Sequence, residues 1–247
     1  MTAPNAPDRR RSPRAHVAAV ATVFAGDECV GQYLLRNLSS GGALLISGPP
    51  LPAGTACRMV LRGAGLGNLC VDAETLRAAP AAGEAGLAVS FQDLDAGARR
   101  KIEHVVTEAL EAMNRPGVLV VDPDVSVLAS MAEDLFLLGR RALLALTPLE
   151  AVRWLCDPGA NVEAAFVGLQ GRAGAGPDLL AYIAEEFPSV HRVLMHPDVA
   201  AGELLAALEE SNARALLRQP WTGPELGAAL RRAPRRPSLC AALSRTG

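Results

Sequence analysis

The periodicity of apolar residues changes at Asn114-Arg115-Pro116-Gly117, and this change constrains the fold more than any other feature of the sequence. Before it, short apolar runs are broken by turn residues. After it, short apolar runs alternate with longer segments of helical period. The 247 residues are enough for two domains of ordinary size. We therefore expect two domains of different class, with their boundary at this segment.

Six apolar runs of β type fill the first part, from Ala15 to Phe91, and turn residues such as Gly26-Asp27 separate them. Short strands at this regular spacing, with no helix between them, indicate a small antiparallel barrel or sandwich. A helix follows, with Asp95 as its N-cap and one apolar stripe along its length. The residues of this stripe are Ile102, Val105, Val106, Ala109, Leu110 and Met113.

Five strand–helix units follow Pro116, and their strands are continuous apolar runs such as Val118-Leu119-Val120-Val121. This alternation predicts a parallel sheet covered by helices on both faces. The last residues are rich in proline and arginine, and we expect them to be frayed. The predicted limits are a flexible N-terminus at 1–8, a first domain at 9–114, a second domain at 116–233 and a flexible tail at 234–247.

The composition excludes several classes of function. Half of the residues are hydrophobic and a fifth are charged, so the chain can bury a core. The net charge of −2 argues against a nucleic-acid grip over the whole surface. The five cysteines are odd in number and scattered, so we expect reduced thiols, no zinc site and a cytoplasmic location. We expect no secretory signal and no membrane span. Lys101 is the only lysine of the sequence.

Two short motifs carry polar chemistry in the first domain. Asp8-Arg9-Arg10-Arg11-Ser12-Pro13-Arg14 is a solvated tail, an arm that grips nucleic acid, or part of a site for a small anion. Asn37-Leu38-Ser39-Ser40-Gly41-Gly42 lies in a predicted turn and, taken alone, is typical of a hairpin. The pair together is more informative than either motif.

Arg10-x-x-x-Arg14 followed by Asn37-x-Ser39-x-x-Gly42 resembles the two-part signature of PilZ domains, the bacterial receptors for cyclic di-GMP. The resemblance runs from about Arg9 to Met113 and implies a six-stranded antiparallel barrel with a C-terminal helix. An arginine fork can meet phosphate oxygens or the O6/N7 edge of guanine, as this ligand requires.

The resemblance also implies a role for each motif residue. Arg10 and Arg14 would clamp phosphate and guanine, as part of a strap across the barrel opening. Asn37, Ser39 and Gly42 would line the base pocket. Arg9, which stands just before the motif, would influence whether one ligand or a stacked pair is bound; we leave the stoichiometry open.

The second domain resembles the receiver domain of response regulators, a flavodoxin-like (βα)5 fold, but its phosphorylation positions are altered. Gly168 stands at the phosphoacceptor aspartate, His196 at the Ser/Thr position and Gln219 at the lysine. Asp122 and Asp124 survive from the acidic site, either as ligands of a weak metal or as loop carboxylates only. Since glycine has no nucleophile, we expect no phosphotransfer and interpret the domain as a pseudo-receiver for protein interaction or dimerisation.

The leading hypothesis is a non-enzymatic cyclic di-GMP effector or adaptor whose arginine strap becomes ordered on binding and alters contact with a protein partner. The alternatives are a scaffold whose PilZ domain binds no nucleotide and a phosphorylation-controlled response regulator. No catalytic residues, catalytic cofactor, resident metal or nucleic-acid partner is expected. The sequence leaves the partner, the pathway and the oligomeric state open, a homodimer included.

Overall fold

The computed structural model describes residues 13–81, 84–169 and 175–231. These residues form two compact units that divide between Met113 and Asn114. The flexible ends expected at 1–8 and 234–247 lie outside the described residues, and the predicted domain limits stay predictions. No described helix has both the length and the apolar character needed to cross a membrane.

Six antiparallel strands form the first unit. They are β1 (Val20–Ala25), β2 (Glu28–Ser39), β3 (Gly42–Ile46), β4 (Ala56–Arg62), β5 (Leu69–Ala81) and β6 (Glu84–Gln92). They close into a barrel in the order β1-β2-β3-β6-β5-β4. The predicted six-stranded antiparallel barrel is therefore confirmed, and the sandwich alternative is wrong.

Register shifts allow the long strands to bend around the barrel. The pairing of β2 with β3 shifts between Leu35 and Asn37, and the pairing of β5 with β6 shifts between Thr75 and Arg77. Such bulges increase local twist, which a closed sheet of few strands requires. Large apolar side chains, with Tyr33 and Met59 among them, are fully buried in this unit.

Helix α1 (Ala96–Glu111) follows β6 and begins at the predicted N-cap. The Asp95 carboxylate accepts hydrogen bonds from the backbone N–H groups of Gly97 and Ala98, both at 2.7 Å. The apolar stripe is buried at Ile102 and its neighbours Val105 and Val106, whereas Leu110 and Met113 are 37% and 50% exposed. Only the first part of the stripe therefore belongs to the core.

The second unit alternates strands and helices as predicted. Its elements are β7 (Gly117–Val121), α2 (Val125–Leu137), β8 (Arg141–Ala145), α3 (Pro148–Cys156), β9 (Val162–Gly168), α4 (Ala175–Glu186), β10 (His191–His196), α5 (Ala201–Ser211), β11 (Ala215–Arg218) and α6 (Gly223–Arg231). The five strands are parallel and lie in the order β11-β10-β9-β7-β8. Numbered along the unit this order reads 5-4-3-1-2, which is the flavodoxin-like, receiver-type arrangement.

In the parallel sheet, polar side chains can lie close together only at the ends of the strands. All five residues of β7 are buried, so polar groups are confined to the strand ends. In open parallel sheets, ligands bind at the carboxyl edge, where the strand order reverses. Asp122, Gly168, His196 and Gln219 stand at or just after the carboxyl ends of their strands.

Candidate ligand-binding site

A pair of backbone hydrogen bonds joins the segment after the arginine motif to the end of β2. Ala15 N–H donates to the Leu38 carbonyl at 3.1 Å, and Leu38 N–H donates to the Ala15 carbonyl at 2.9 Å. Leu35 N–H also donates to the Ala19 carbonyl at 2.9 Å. Ala15 and Leu38 are buried, so this junction is part of the core and fixes where the N-terminal segment meets the barrel.

The bridge between Ala15 and Leu38 is antiparallel, and its register sets Arg14 beside the strand of the second motif. Continuing that register sets Arg14 opposite Ser39 and His16 opposite Asn37, because paired residues in an antiparallel ladder face each other directly. Arg14 is exposed and Ser39 is buried. The structure therefore brings one residue of the arginine motif to the strand that carries the second motif.

Asn37 and Ser39 lie in β2, whereas the sequence interpretation placed both in a turn. Only Ser40 and Gly41 form the loop, because Ser39 and Gly42 pair across the hairpin. The Ser39 hydroxyl donates to the Gly42 carbonyl at 3.2 Å and so closes the hairpin from within. The side chain of Asn37 is half-buried on the strand.

Gly42 has a structural reason to be glycine. It pairs with Ser90 of β6, and a Cβ at this position would overlap the Val89 carbonyl oxygen and lie 3.2 Å from the Ser90 Cα. At Gly41, by contrast, a Cβ would meet nothing within 4 Å. The second glycine of the motif therefore permits close packing of two strands, whether or not a ligand also approaches it.

Two of the predicted ligand residues, Arg9 and Arg10, lie outside the described residues. Arg14, Asn37, Ser39 and Gly42 are described and lie at one end of the barrel, around the β2–β3 hairpin. His16 belongs to neither sequence motif, although it follows Arg14 by two residues, the spacing of one face of an extended chain.

A second cluster lies at the carboxyl edge of the parallel sheet. Asp122 is 6% exposed, and its carboxylate accepts from the Asp124 N–H at 2.9 Å and from the Gln219 side-chain amide at 3.3 Å. Burial raises the pKa of the Asp122 carboxyl above its ordinary value, and these two hydrogen bonds offset part of that rise.

A neighbouring carboxylate fills the space beside Gly168, the residue predicted to stand at the phosphoacceptor position. A Cβ on Gly168 would overlap the Asp122 carboxylate, so this carboxylate occupies the space that a side chain at position 168 would need. The Gln219 amide donates to the same carboxylate and carries no charge, at the position where the receiver resemblance predicts a lysine. The altered positions are thus packed against one another.

Asp124 and His196 have local roles. Asp124 caps α2 and accepts from the Ser126 N–H at 2.8 Å and the Ser126 hydroxyl at 2.6 Å. The His196 ring Nδ1 donates to the Pro197 carbonyl at 2.7 Å. Across the described ranges, no three His, Cys, Asp or Glu residues are grouped closely enough to hold a metal ion.

A hydrogen bond that the sequence analysis missed holds the segment after β11. The Trp221 indole N–H donates to the Asp134 carboxylate of α2 at 2.7 Å. Together with the bond from Gln219 to Asp122, it ties this segment to α2 and to the residue that follows β7. Nothing in the local sequence signals either contact, since the partners are 87 and 97 residues apart.

Comparisons with known proteins found one family model and several similar solved structures. The PilZ domain family model matches residues 8–108. The signal receiver domain of an HD domain-containing protein from Pseudomonas fluorescens Pf-5 is similar at 28% identity, over 48% of this chain and 94% of that chain, with a TM-score of 0.44. A response regulator receiver domain from Clostridium thermocellum is similar at 21% identity, over 48% and 93% of the two chains, with a TM-score of 0.43. No curated protein matches this chain.

Proposed function

We propose that this protein is a cytoplasmic, non-enzymatic effector that binds cyclic di-GMP. The PilZ domain family model matches residues 8–108, and the second unit has a receiver-type fold. The observation that carries the proposal is the hydrogen-bonded pairing of Ala15 with Leu38. This pairing brings the chain that follows the arginine motif to the strand that bears Asn37 and Ser39.

The chemistry at this end of the barrel suits a cyclic dinucleotide. The guanidinium groups of Arg10 and Arg14 can bind phosphate bidentately or the O6/N7 edge of guanine. Asn37 offers a half-buried amide on β2, which is suited to a polar edge of the base. Arg9 precedes this pair and would influence how many ligands stack in the site.

Binding would act as a switch by ordering the arginine segment. The segment joins the barrel at Ala15, so residues before this point gain partners when an anion lies between them and β2. A protein partner that contacts the ordered segment, or the second unit, would then distinguish the two states.

The second unit is proposed to work without phosphorylation, as a module for protein interaction. Gly168 supplies no carboxylate to accept a phosphoryl group, and the Asp122 carboxylate fills the space beside it. A phosphorylation-controlled regulator is the alternative. Mg²⁺-dependent labelling of the chain by acetyl phosphate would favour that alternative.

Isothermal titration of cyclic di-GMP at low salt tests the main proposal. The wild type should release or take up heat, and an Arg10→Ala/Arg14→Ala variant should bind at least about 100-fold more weakly, because two charge-assisted contacts are lost. Arg11→Ala, which removes a neighbouring charge outside the motif, is the matched control and should bind as the wild type does.

The outcomes separate the hypotheses. No heat from the wild type refutes cyclic di-GMP binding and favours the scaffold without nucleotide. Equal affinities of the wild type and the double variant keep the ligand but refute the assigned residues. A loss in Arg11→Ala as large as in the double variant would indicate general attraction between charges.

A further inference from the structure

The connection between β3 and β4 presents three exposed prolines within four positions. Its sequence is Ser47-Gly48-Pro49-Pro50-Leu51-Pro52-Ala53-Gly54-Thr55. Residues 49–52, which we call the proline segment, belong to no helix or strand. Pro49, Pro50 and Pro52 are exposed, whereas Leu51 is half-buried. The proline segment therefore turns a row of apolar rings toward solvent.

The prolines restrict the backbone of this segment to an extended conformation. A proline ring fixes φ at about −65°, and the residue before a proline is confined to extended or polyproline II conformations. Both restrictions act on Pro49, because Pro50 follows it, and Pro52 restricts Leu51. The X–Pro bonds of the segment are trans. These restrictions favour about one turn of a polyproline II helix, which has three residues per turn.

The barrel holds both ends of the proline segment. The Tyr33 hydroxyl of β2 donates to the Pro49 carbonyl at 2.6 Å. At the other end, the Pro52 carbonyl accepts from the Thr55 hydroxyl at 2.8 Å and from the Thr75 hydroxyl of β5. The segment is thus fixed in place before a partner binds, so its binding would cost little conformational entropy.

One edge of the segment faces the barrel and the others face solvent. Residues three apart share an edge of a polyproline II helix, so Pro49 and Pro52 lie on one edge and Pro50 on another. The half-buried Leu51 lies on the edge toward the barrel. Within the described ranges, the carbonyls of Pro50 and Leu51 accept no hydrogen bond. Two edges with proline rings and two carbonyls are therefore available to a partner.

These features define the chemistry of the partner. Residues 47–57 include no charged side chain, so recognition cannot rest on an ion pair within the segment. Proline-rich segments bind in grooves lined by aromatic side chains, where Trp N–H and Tyr O–H groups can donate to carbonyls. Proline also stabilises a loop simply by restricting the unfolded chain, and that role requires no partner. The two roles differ in whether an aromatic groove binds the segment.

We propose that the proline segment is a docking site for a protein partner with an uncharged groove lined by Trp and Tyr side chains. β3 leads from Gly42 of the second motif to this segment, so the two lie at opposite ends of the barrel. The inference goes beyond the proposed function and does not depend on cyclic di-GMP binding.

A WW domain, which has a groove of this kind, is the probe. Titration of the unlabelled full chain into the ¹⁵N-labelled WW domain should move the signals of the domain along a saturable curve. Pro50→Ala should weaken this binding about tenfold or more, because one of the exposed rings is lost. Pro188→Ala, which removes an exposed proline from the second unit, is the matched control and should bind as the wild type does.

A second variant covers the case in which Pro50→Ala fails to fold. Pro52→Ala keeps the carbonyl that accepts from the two threonine hydroxyls but removes the ring on the other exposed edge. It should also weaken binding about tenfold or more. Equal affinities of the wild type and of the folded proline variants would overturn the proposal, because the WW domain would then bind elsewhere on the chain.

The absence of a saturable shift with the folded wild type would also overturn the docking site. Calorimetric titration of cyclic di-GMP into Pro50→Ala should match that of the wild type, since the two sites lie at opposite ends of the barrel. Failure of the docking site and failure of the proposed function are therefore distinguishable.

Discussion

Replacing Gly42 by alanine should destabilise the barrel and leave the second unit unchanged. The added Cβ would overlap the Val89 carbonyl oxygen, and this oxygen cannot turn aside because β3 and β6 are paired along their whole contact. Overpacking of a closed structure costs roughly 1–3 kcal/mol, and an overlap with backbone belongs at the upper end of that range. We expect a loss of about 2–3 kcal/mol in the free energy of unfolding of the first unit.

The two units can be followed separately by urea titration. Both tryptophans, Trp154 and Trp221, lie in the second unit, so tryptophan fluorescence reports its unfolding alone. Far-ultraviolet circular dichroism reports both units. With a urea dependence of roughly 1–3 kcal/mol/M, the transition of the barrel should move down by about 1–2 M, and the fluorescence transition should not move.

Gly41→Ala is the matched control for this prediction. The neighbouring glycine has no atom within 4 Å of its would-be Cβ, so its substitution should change the unfolding free energy by less than about 0.5 kcal/mol. Equal effects of the two substitutions would refute the close approach of β3 and β6 as the reason for Gly42. In that case only the predicted contact with a ligand would remain as a reason for glycine at position 42.

Three further predictions concern single carboxylates and the altered receiver positions. Asp95→Ala removes the acceptor of two N–H groups at the start of α1 and should cost the first unit about 1 kcal/mol, read from the dichroism transition. Burial raises the pKa of Asp122, so the folded second unit holds this proton more tightly than the unfolded chain, and its stability falls as pH rises through the raised pKa. Asp122→Asn should flatten that fall, which fluorescence-detected urea titrations at a series of pH values would measure. Gly168→Asp should destabilise the second unit by roughly 2–4 kcal/mol, because the new carboxylate meets Asp122, and it should not restore phosphorylation by acetyl phosphate. Mg²⁺-dependent labelling of this variant would contradict the packing of Asp122 against Gly168.

Local patterns were sufficient for the elements and the fold class. The strands of the barrel follow from turn residues at regular spacing, and Asp95 was identifiable as an N-cap because a short acidic side chain precedes a helical stripe. The stripe did not reveal that Leu110 and Met113 remain exposed. Periodicity shows which residues share a face, but not how far the neighbouring sheet extends beneath it.

The site was less accessible from the sequence, because its properties arise between distant segments. Only Gly42 of the Gly41-Gly42 pair must be glycine for packing, because β6 approaches it. This strand lies about fifty residues away along the chain. The sequence predicted Gly168 at the position of a phosphoacceptor, but it could not show that the Asp122 carboxylate fills the space beside this glycine. The hydrogen bond from the Tyr33 hydroxyl to the Pro49 carbonyl is likewise a property of the folded barrel.

The bridge between Ala15 and Leu38 fixes which way the side chains next to it point. Side chains alternate between the faces of an extended segment, so one residue inserted between Arg14 and Ala15 would turn Arg14 to the opposite face. The hairpin at Gly26-Asp27 is under no such constraint, because β1 and β2 can lengthen together without disturbing their pairing at the other end. The interval from Arg14 to Asn37 can therefore drift in length during evolution, while the single step from Arg14 to Ala15 cannot.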